Sequence, residues 1–507
     1  MSQLSESSRA RLAELSFASA SAQARALAEG QVSAVDLLEH TLARIERYNP
    51  VLNAIVVFDL ERARADARAA DTALARGERR PLLGVPITVK ESFDVAGLPT
   101  TCGSPSQAGN IARRDAEAVL GLREAGAVIL GKSNVPLALA DLQSYNALHG
   151  LSRNPWNLQR TPGGSSGGSA AALAAGLVAL ELGSDIGGSI RILAHFSGVY
   201  GHKPSQGLVS LHGAGLPPGR LADRDLSVAG PMARTADDLA LALPLLLNQD
   251  RLLSKAWRAQ LPAPRHERLS DYKVLLIDHW PGTRQSLHER LVGERLQERL
   301  RTQGVALSRP RDLPADLLPD LAADHSLYRG LLGASLIDPP PLSESARQRL
   351  KRLQPDDSSA DASWLRAQTI SHRDWLRQNE ARLQTRARWE RLFQTFDLVL
   401  TPVAPLPAFE HNHSEPKDER HYPVAYEDGV APTRFQDLFH WAGLPVLPGL
   451  PATSFPLGLD EAGLPIGAQA VGPYLEDLSP IRFASLLESL YGGFQLPPGY
   501  APPEASA

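Results

Sequence analysis

The most unusual local composition in this chain is residues 161–175, TPGGSSGGSAAALAA, where a Gly/Ser cluster runs straight into an Ala-rich helix former. A second glycine turn, Gly187-Gly188, follows beside Ser189. Flexible linkers of such composition join polar segments, whereas this one opens a helix. Glycines at a helix N-terminus can also cradle phosphate, but no G-x-x-x-x-G-K-[ST] is present and the preceding residues 154–160 are polar and contain Pro155. The missing strand counts equally against a nucleophile elbow at Ser165, although residues 163–167 satisfy G-x-S-x-G. The strand-like run 177–182 instead leads into GSDIGGS, residues 183–189. Ser189 is therefore the serine carried on a tight glycine turn, which can aim several backbone N–H groups at a developing oxyanion. That is the chemistry of nucleophilic acyl transfer. It needs a base, and Lys90, Lys132 and Lys203 each close an apolar run or sit beside Gly or Pro. A strand-end lysine with its head in water is the default for all three, and the residues alone do not choose among them.

Short apolar runs at 85–89, 127–130, 177–182, 274–277 and 398–400, bounded by Gly, Pro or polar residues, predict buried strands. Helical patterns at 115–125, 166–176 and 235–247 separate them. The alternation predicts an α/β fold: a single α/β/α core with a large mixed β-sheet covered by helices on both faces. Ahead of it, residues 32–48 place Val35, Leu38, Leu42 and Ile45 at helical spacing behind Ser33 and Asp36, and 59–76 is a second helical run ending near Gly77. The expected organisation is an N-terminal helical segment (1–80), a first half of the core (81–250), a variable helical insertion shaping the substrate pocket (251–395), a second half (396–495) and a loose tail (496–507).

The 507 residues are 43% hydrophobic, enough for a large core. Lys+Arg 52 against Asp+Glu 56 gives a net charge of -4 without a block of like charge, which argues against nucleic acid as a partner. The only cysteine, Cys102, rules out an internal disulfide and suits a reducing compartment. The first thirty residues lack the apolar stretch of a signal peptide, and no apolar run reaches membrane-spanning length, so a soluble, cytoplasmic protein is expected.

The segment GGSSGGSAAALAAGLVALELGSDIGGSIR (163–191), with GVPITVKESFDVAG (84–97) and GHKPSQGLVS (201–210), resembles the amidase signature hydrolases. Weaker likenesses at GPMARTADDLALAL, FDLVLTP, GLPATSFPLG and GLPIGAQAVG extend the resemblance over most of the chain, 251–394 excepted. The resemblance implies a serine hydrolase cleaving carbon–nitrogen amide bonds through an acyl-enzyme, with Ser189 as nucleophile, Ser165 as relay after a cis peptide bond and Lys90 as base. It further implies an oxyanion hole from the backbone N–H groups of Ile186, Gly187, Gly188 and Ser189, with Ser166, Asp185 and Arg191 supporting the loop. It implies no cofactor and no metal. Where similar proteins commonly read SIRIPAAFCG, this chain has Leu193, His195 and Ser197 in place of proline, alanine and cysteine. Since the resemblance already makes Lys90 the base, His195 is not expected to be one.

The expected substrate is a small amide, anilide or carbamate, neutral and bulky, acted on by a monomer or homodimer that binds neither nucleic acid nor membrane. Leu216, Pro217, Pro218, Leu327, Tyr328, Leu331, Leu332, Leu336, Phe439 and Trp441 are the candidates for an apolar lining, and they could equally be core. Arg220, Arg329 and Arg434 are available cations, but nothing in the sequence aims them at the site. Two rivals remain. A glutamine amidotransferase A-type subunit for transfer-RNA charging would need an obligate partner and a stretch like RYGLIAFASSLDQIGP, where this chain has LHGAGLPPGRLADRDLSVAGP (211–231). A metallohydrolase could use His411 and His413, with His421 nearby, but no H-E-x-x-H accompanies them.

Overall fold

A computed structural model describes residues 6–217, 219–314, 317–336, 342–354, 356–367 and 369–501. Its centre is an eleven-stranded sheet. The strands are β1 (Ile55–Phe58), β2 (Pro86–Lys90), β3 (Val128–Ser133), β4 (Leu180–Asp185), β5 (Tyr200–Lys203), β6 (Val228–Ala233), β7 (Lys273–Leu276), β8 (Ala306–Ser308), β9 (Leu398–Pro402), β10 (Ala452–Leu459) and β11 (Pro465–Val471). They lie in the order β1-β3-β2-β4-β6-β5-β10-β11-β9-β7-β8. β3, β2 and β4 run parallel, as do β9, β7 and β8. The strands between them pair antiparallel, so the sheet is mixed. Every residue of β2, β3, β6, β9 and β11 is buried, which is why 85–89, 127–130 and 398–400 read as apolar runs rather than as alternation. The α/β expectation holds.

The helix Ala34–Leu52 starts where Ser33 accepts from the N–H of Asp36 and stops at Asn53, in the left-handed conformation. Leu60–Ala75 is capped by Asp59. The helix Gly167–Ala174 is buried throughout. A Cβ on Gly168 would lie 2.3 Å from the backbone nitrogen of Asn134, so only glycine lets this helix approach the end of β3 so closely.

Two expectations about organisation need correction. Residues 251–395, expected as a helical insertion, also carry sheet strands: β7, at the apolar run expected as a strand, and β8, which was not expected, belong to the main sheet, with the helix Leu287–Thr302 between them in sequence. Lys273–Leu276 is an apolar run that pairs on both edges, with β8 and β9. The helices Leu321–Ala334, Glu344–Arg352, Ala360–Ala367 and His372–Leu392 follow it. The tail expected to be loose is anchored at its start, because Arg44 donates to the Tyr500 carbonyl at 3.0 Å and Tyr48 packs on the Tyr500 ring. Residues 502–507 lie outside the described residues. Among the described residues no helix is long and apolar enough to cross a membrane.

Candidate active site

The C-terminal ends of the parallel neighbours β2 and β4 deliver Lys90 and the Ser184-Asp185 pair to one place. Lys90 is completely buried, and its Nζ lies 2.7 Å from Ser165 Oγ, 2.9 Å from Ser184 Oγ and 3.4 Å from the Ser184 carbonyl. Burial pushes its ammonium down to about 7; nearby acidic groups oppose the shift and Arg224 adds to it. The other two lysines are held elsewhere. Lys132 donates to the Pro99 carbonyl and to Thr100 Oγ1, and Lys203 to the Pro204 carbonyl.

Ser165 follows a cis peptide bond from Gly164 and stands just before the helix Gly167–Ala174. Ser144, which sequence reasoning missed, clasps this loop: its Oγ donates to the Gly163 carbonyl and accepts from the Gly167 N–H, both at 3.0 Å. Ser166 Oγ donates to the Ser189 carbonyl at 2.6 Å and so joins the two serine loops.

The Ser189 turn is wound around Asp185. One carboxylate oxygen accepts from the Gly188 N–H and from Arg191 Nη2, both at 2.9 Å. The other accepts from the Ile190 N–H at 3.1 Å and Arg191 Nε at 3.0 Å. Burial alone would raise this carboxyl, but the Arg191 charge and hydrogen bonds outweigh it and hold it below the usual range. Arg191 is fully buried and reaches on to Gln469 Oε1 at 2.7 Å and the Ala442 carbonyl at 2.8 Å. Gly188 has φ +96°, and a Cβ there would meet Ile192 at 2.5 Å, so the turn requires glycine. The Gly188 N–H, one of the four donors expected for an anion hole, is engaged by Asp185. Tyr328, from the helix Leu321–Ala334, donates to the Ile186 carbonyl at 3.0 Å. In a trans peptide this turns the Gly187 N–H the opposite way. Ser184, Gln469 and Tyr328 were not singled out as positioning groups by the sequence, since each acts through a partner distant in the chain.

Four of the ten expected lining residues are core. Tyr328, Leu331 and Leu332 are buried in one cluster with Leu226, Val446 and Leu447. Trp441 is buried in another, with its Nε1 donating to Glu289 at 2.6 Å. Pro218 lies outside the described residues. Phe439 does reach the Ser189 turn, its ring 3.0 Å from where a Cβ on Gly187 would stand. His195 packs against Phe196 and His288, and its Nε2 donates to the Leu406 carbonyl at 3.2 Å. Burial pushes it down to about 4.

His411 and His413 have ring centroids 5.7 Å apart, while His413 stacks on Tyr145 and His421 is held by the Glu419 carbonyl. Among the described residues the one convergence of three ligand-type groups is Glu117, His212 and Asp250. Its carboxylates already accept from Ser210 Oγ and from the Leu252 and Leu253 N–H groups.

A family model described as Amidase matches residues 36–479. The chain is 50% identical over 230 residues to a Mycobacterium bovis protein named "Putative amidase AmiB2", covering 45% of this chain and only 48% of that relative's length. It is 32% identical over 475 residues to a glutamyl-tRNA(Gln) amidotransferase subunit from Coxiella burnetii, covering 89% of this chain and 92% of the relative. Among solved structures it is similar to an amidase (29% identity, TM-score 0.72, 93% of this chain and 99% of that one). A bacterial aryl acylamidase of the amidase signature family shares the fold (24% identity, TM-score 0.76, 94% and 96%).

Proposed function

The chain belongs to the amidase family, and on that premise we propose that it hydrolyses carbon–nitrogen amide bonds through an acyl-enzyme on Ser189. Ser189 attacks the carbonyl carbon while Ser165 accepts its proton and passes its own to Lys90. A neutral Lys90 suits this: its lone pair accepts from the Ser165 hydroxyl, and its two N–H groups go to Ser184 Oγ and the Ser184 carbonyl. The Ile186, Gly187 and Ser189 N–H groups take the oxyanion, the Gly188 N–H being bonded to Asp185. As the tetrahedral intermediate collapses, the proton returns through Ser165 to the departing nitrogen, which leaves as an amine. Water then attacks the acyl-enzyme by the same relay and releases the carboxylic acid.

The observation that carries this reading is the contact of the buried Lys90 amine with Ser165 at 2.7 Å, one loop from the Ser189 turn. Phe439 beside Gly187 supports a hydrophobic or aryl acyl group, as in an amide, anilide or carbamate. The test is labelling with a fluorophosphonate and hydrolysis of a panel of amides, anilides, carbamates and esters. Labelling and turnover both disappear in Ser189→Ala if the reading is right, and near-normal turnover in that variant ends it. A second reading, the glutaminase component of a transfer-RNA amidotransferase, is favoured by the full-length likeness to the Coxiella burnetii protein. Glutamine as the preferred member of the panel would select it.

A further inference from the structure

The connection between β5 and β6 carries a guanidinium that this mechanism does not use. Arg224 is half-buried, and its Nε is buried without a hydrogen-bond partner. Among the described residues no carboxylate pairs with it and no acceptor takes its other N–H groups. Neighbouring charges are already engaged. Asp225 is held by Arg382 at 2.6 Å and by Trp375 Nε1 at 3.1 Å, and Arg220 is folded onto the carbonyls of Leu216, Ala222 and Asp223.

Its position is specific. Arg224 Nη1 stands 3.1 Å from where a Cβ on Gly215 would be, and Gly215, at φ +78°, donates to the Ser92 carbonyl at 2.8 Å. Phe93 bridges Ala214 in the same contact. The guanidinium is therefore laid over the segment that directly follows Lys90, and its charge bears on both Lys90 and Cys102. A partly desolvated guanidinium without a counter-ion is costly. Its terminal N–H groups, to which no described residue offers an acceptor, are also what a carboxylate ligand requires.

Which half of a substrate would meet it follows from the proton path. The proton returned through Ser165 must reach the departing nitrogen, so the amine half of the amide lies on the Lys90 side, while Phe439 stands by Gly187 for the acyl half. We propose that Arg224 binds a carboxylate carried by the leaving amine, so that the preferred substrates are N-acylated amino acids or similar amides whose amine product bears an anion. This rests on the amide-hydrolase reading and replaces the neutral leaving group expected from sequence. The reaction remains hydrolysis: the C–N bond breaks, water supplies hydroxyl to the acyl carbon, and the amino acid departs with the returned proton.

The experiment compares kcat/KM for N-benzoylglycine and its carboxamide, both followed by benzoate release. The wild-type protein favours the carboxylate by at least about tenfold, the selectivity of a charge met by a half-buried partner. Arg224→Gln brings the ratio near one. Arg224→Glu, read on the same pair and on N-benzoylethylenediamine, shifts preference to the ammonium-bearing amide, which a folding defect would not do. Equal use of the two glycine compounds by the wild type, or a ratio that survives Arg224→Gln, overturns the inference. So does a variant that only moves the pH profile and affects both substrates alike, since Arg224 would then serve Lys90 alone. Labelling of Ser189 without benzoate release from either compound also overturns it. Absence of both labelling and release instead marks failure of the amide-hydrolase reading.

Discussion

The strand ends that carry Lys90 and Lys203 are built from like ingredients and do unlike things. Both lysines are almost completely removed from solvent, and burial pushes both down to about 7. Lys203 Nζ donates to the carbonyl of the next residue, Pro204, and among the described residues it meets no hydroxyl. Lys90 Nζ meets two, Ser165 and Ser184. Burial makes a lysine neutral; only a neighbouring hydroxyl gives that neutral amine something to do. A depressed pKa is thus a poor guide to a base unless the proton it would accept can be identified.

The sharpest way to break that comparison is to remove each amine. Lys90→Met is expected to lower kcat by about 10⁴-fold or more, in line with units whose members act together. Lys203→Met, which deletes an amine that burial already pushes towards its neutral form, should leave kcat/KM within about tenfold. Steady-state kinetics on one amide measures both, with thermal melts to check folding. Comparable losses in the two variants would mean that the Ser165 contact does not distinguish the lysines.

Titration sharpens it further. Lys90 accepts a proton only when neutral, so kcat/KM should rise through about pH 7 and level off above it. Stability behaves differently. Each of these lysines has a folded value near 7 against an unfolded value of about 10.5, so the unfolded chain binds more protons between those limits. Stability therefore increases with pH across roughly pH 7 to 10.5 from both groups. Lys203→Met should flatten that dependence, measured by denaturant unfolding, while leaving the activity profile in place. An activity profile displaced by Lys203→Met would show that this lysine also bears on the reaction.

Ser184 supplies the next smaller effect. Its hydroxyl and carbonyl both face Lys90 Nζ, and together they direct the amine's hydrogens away from Ser165. Ser184→Ala removes one of the two acceptors and leaves the other, so kcat should fall by about tenfold, the worth of one neutral hydrogen bond. KM should change little. A fall as large as that of Lys90→Met would make Ser184 part of the proton relay rather than a support for it.

Much of this was legible in the sequence because it is local. The strand–turn–serine order at 177–189 and the Gly/Ser cluster before an Ala-rich helix are patterns within thirty residues. What was illegible depends on separation. Ser184 lies one residue from Asp185, yet its significance requires knowing that β2 and β4 are parallel neighbours. Tyr328 reaches Ile186 across 142 positions, and Gln469 reaches Arg191 across 278. Four of the apolar residues offered as a pocket lining, Tyr328, Leu331, Leu332 and Trp441, turned inward because core and pocket make the same demand on composition; Trp441 is set apart by its bond to Glu289. Arg224 escaped notice for the opposite reason. An arginine in a polar loop ordinarily finds an aspartate, and both flanking aspartates stand beside it in sequence without pairing with it.

The smallest expected effect concerns metal. In the proposed cycle every charge that develops has a protein partner: the oxyanion has backbone N–H groups, and the proton has Lys90. No step is left for a Lewis acid. Prolonged dialysis against EDTA should accordingly leave kcat unchanged, with atomic absorption recording what the treatment removed. The convergence of Glu117, His212 and Asp250 gives this test an edge, because the imidazole offers a simpler account: Nδ1 lies 3.2 Å from Glu117, with Asp250 farther off at 3.8 Å. An imidazole standing between two acids can itself occupy the place of an added cation. Loss of activity on dialysis, restored by zinc, would point instead to this cluster or to His411 and His413. His212→Ala and His411→Ala would then tell the two apart.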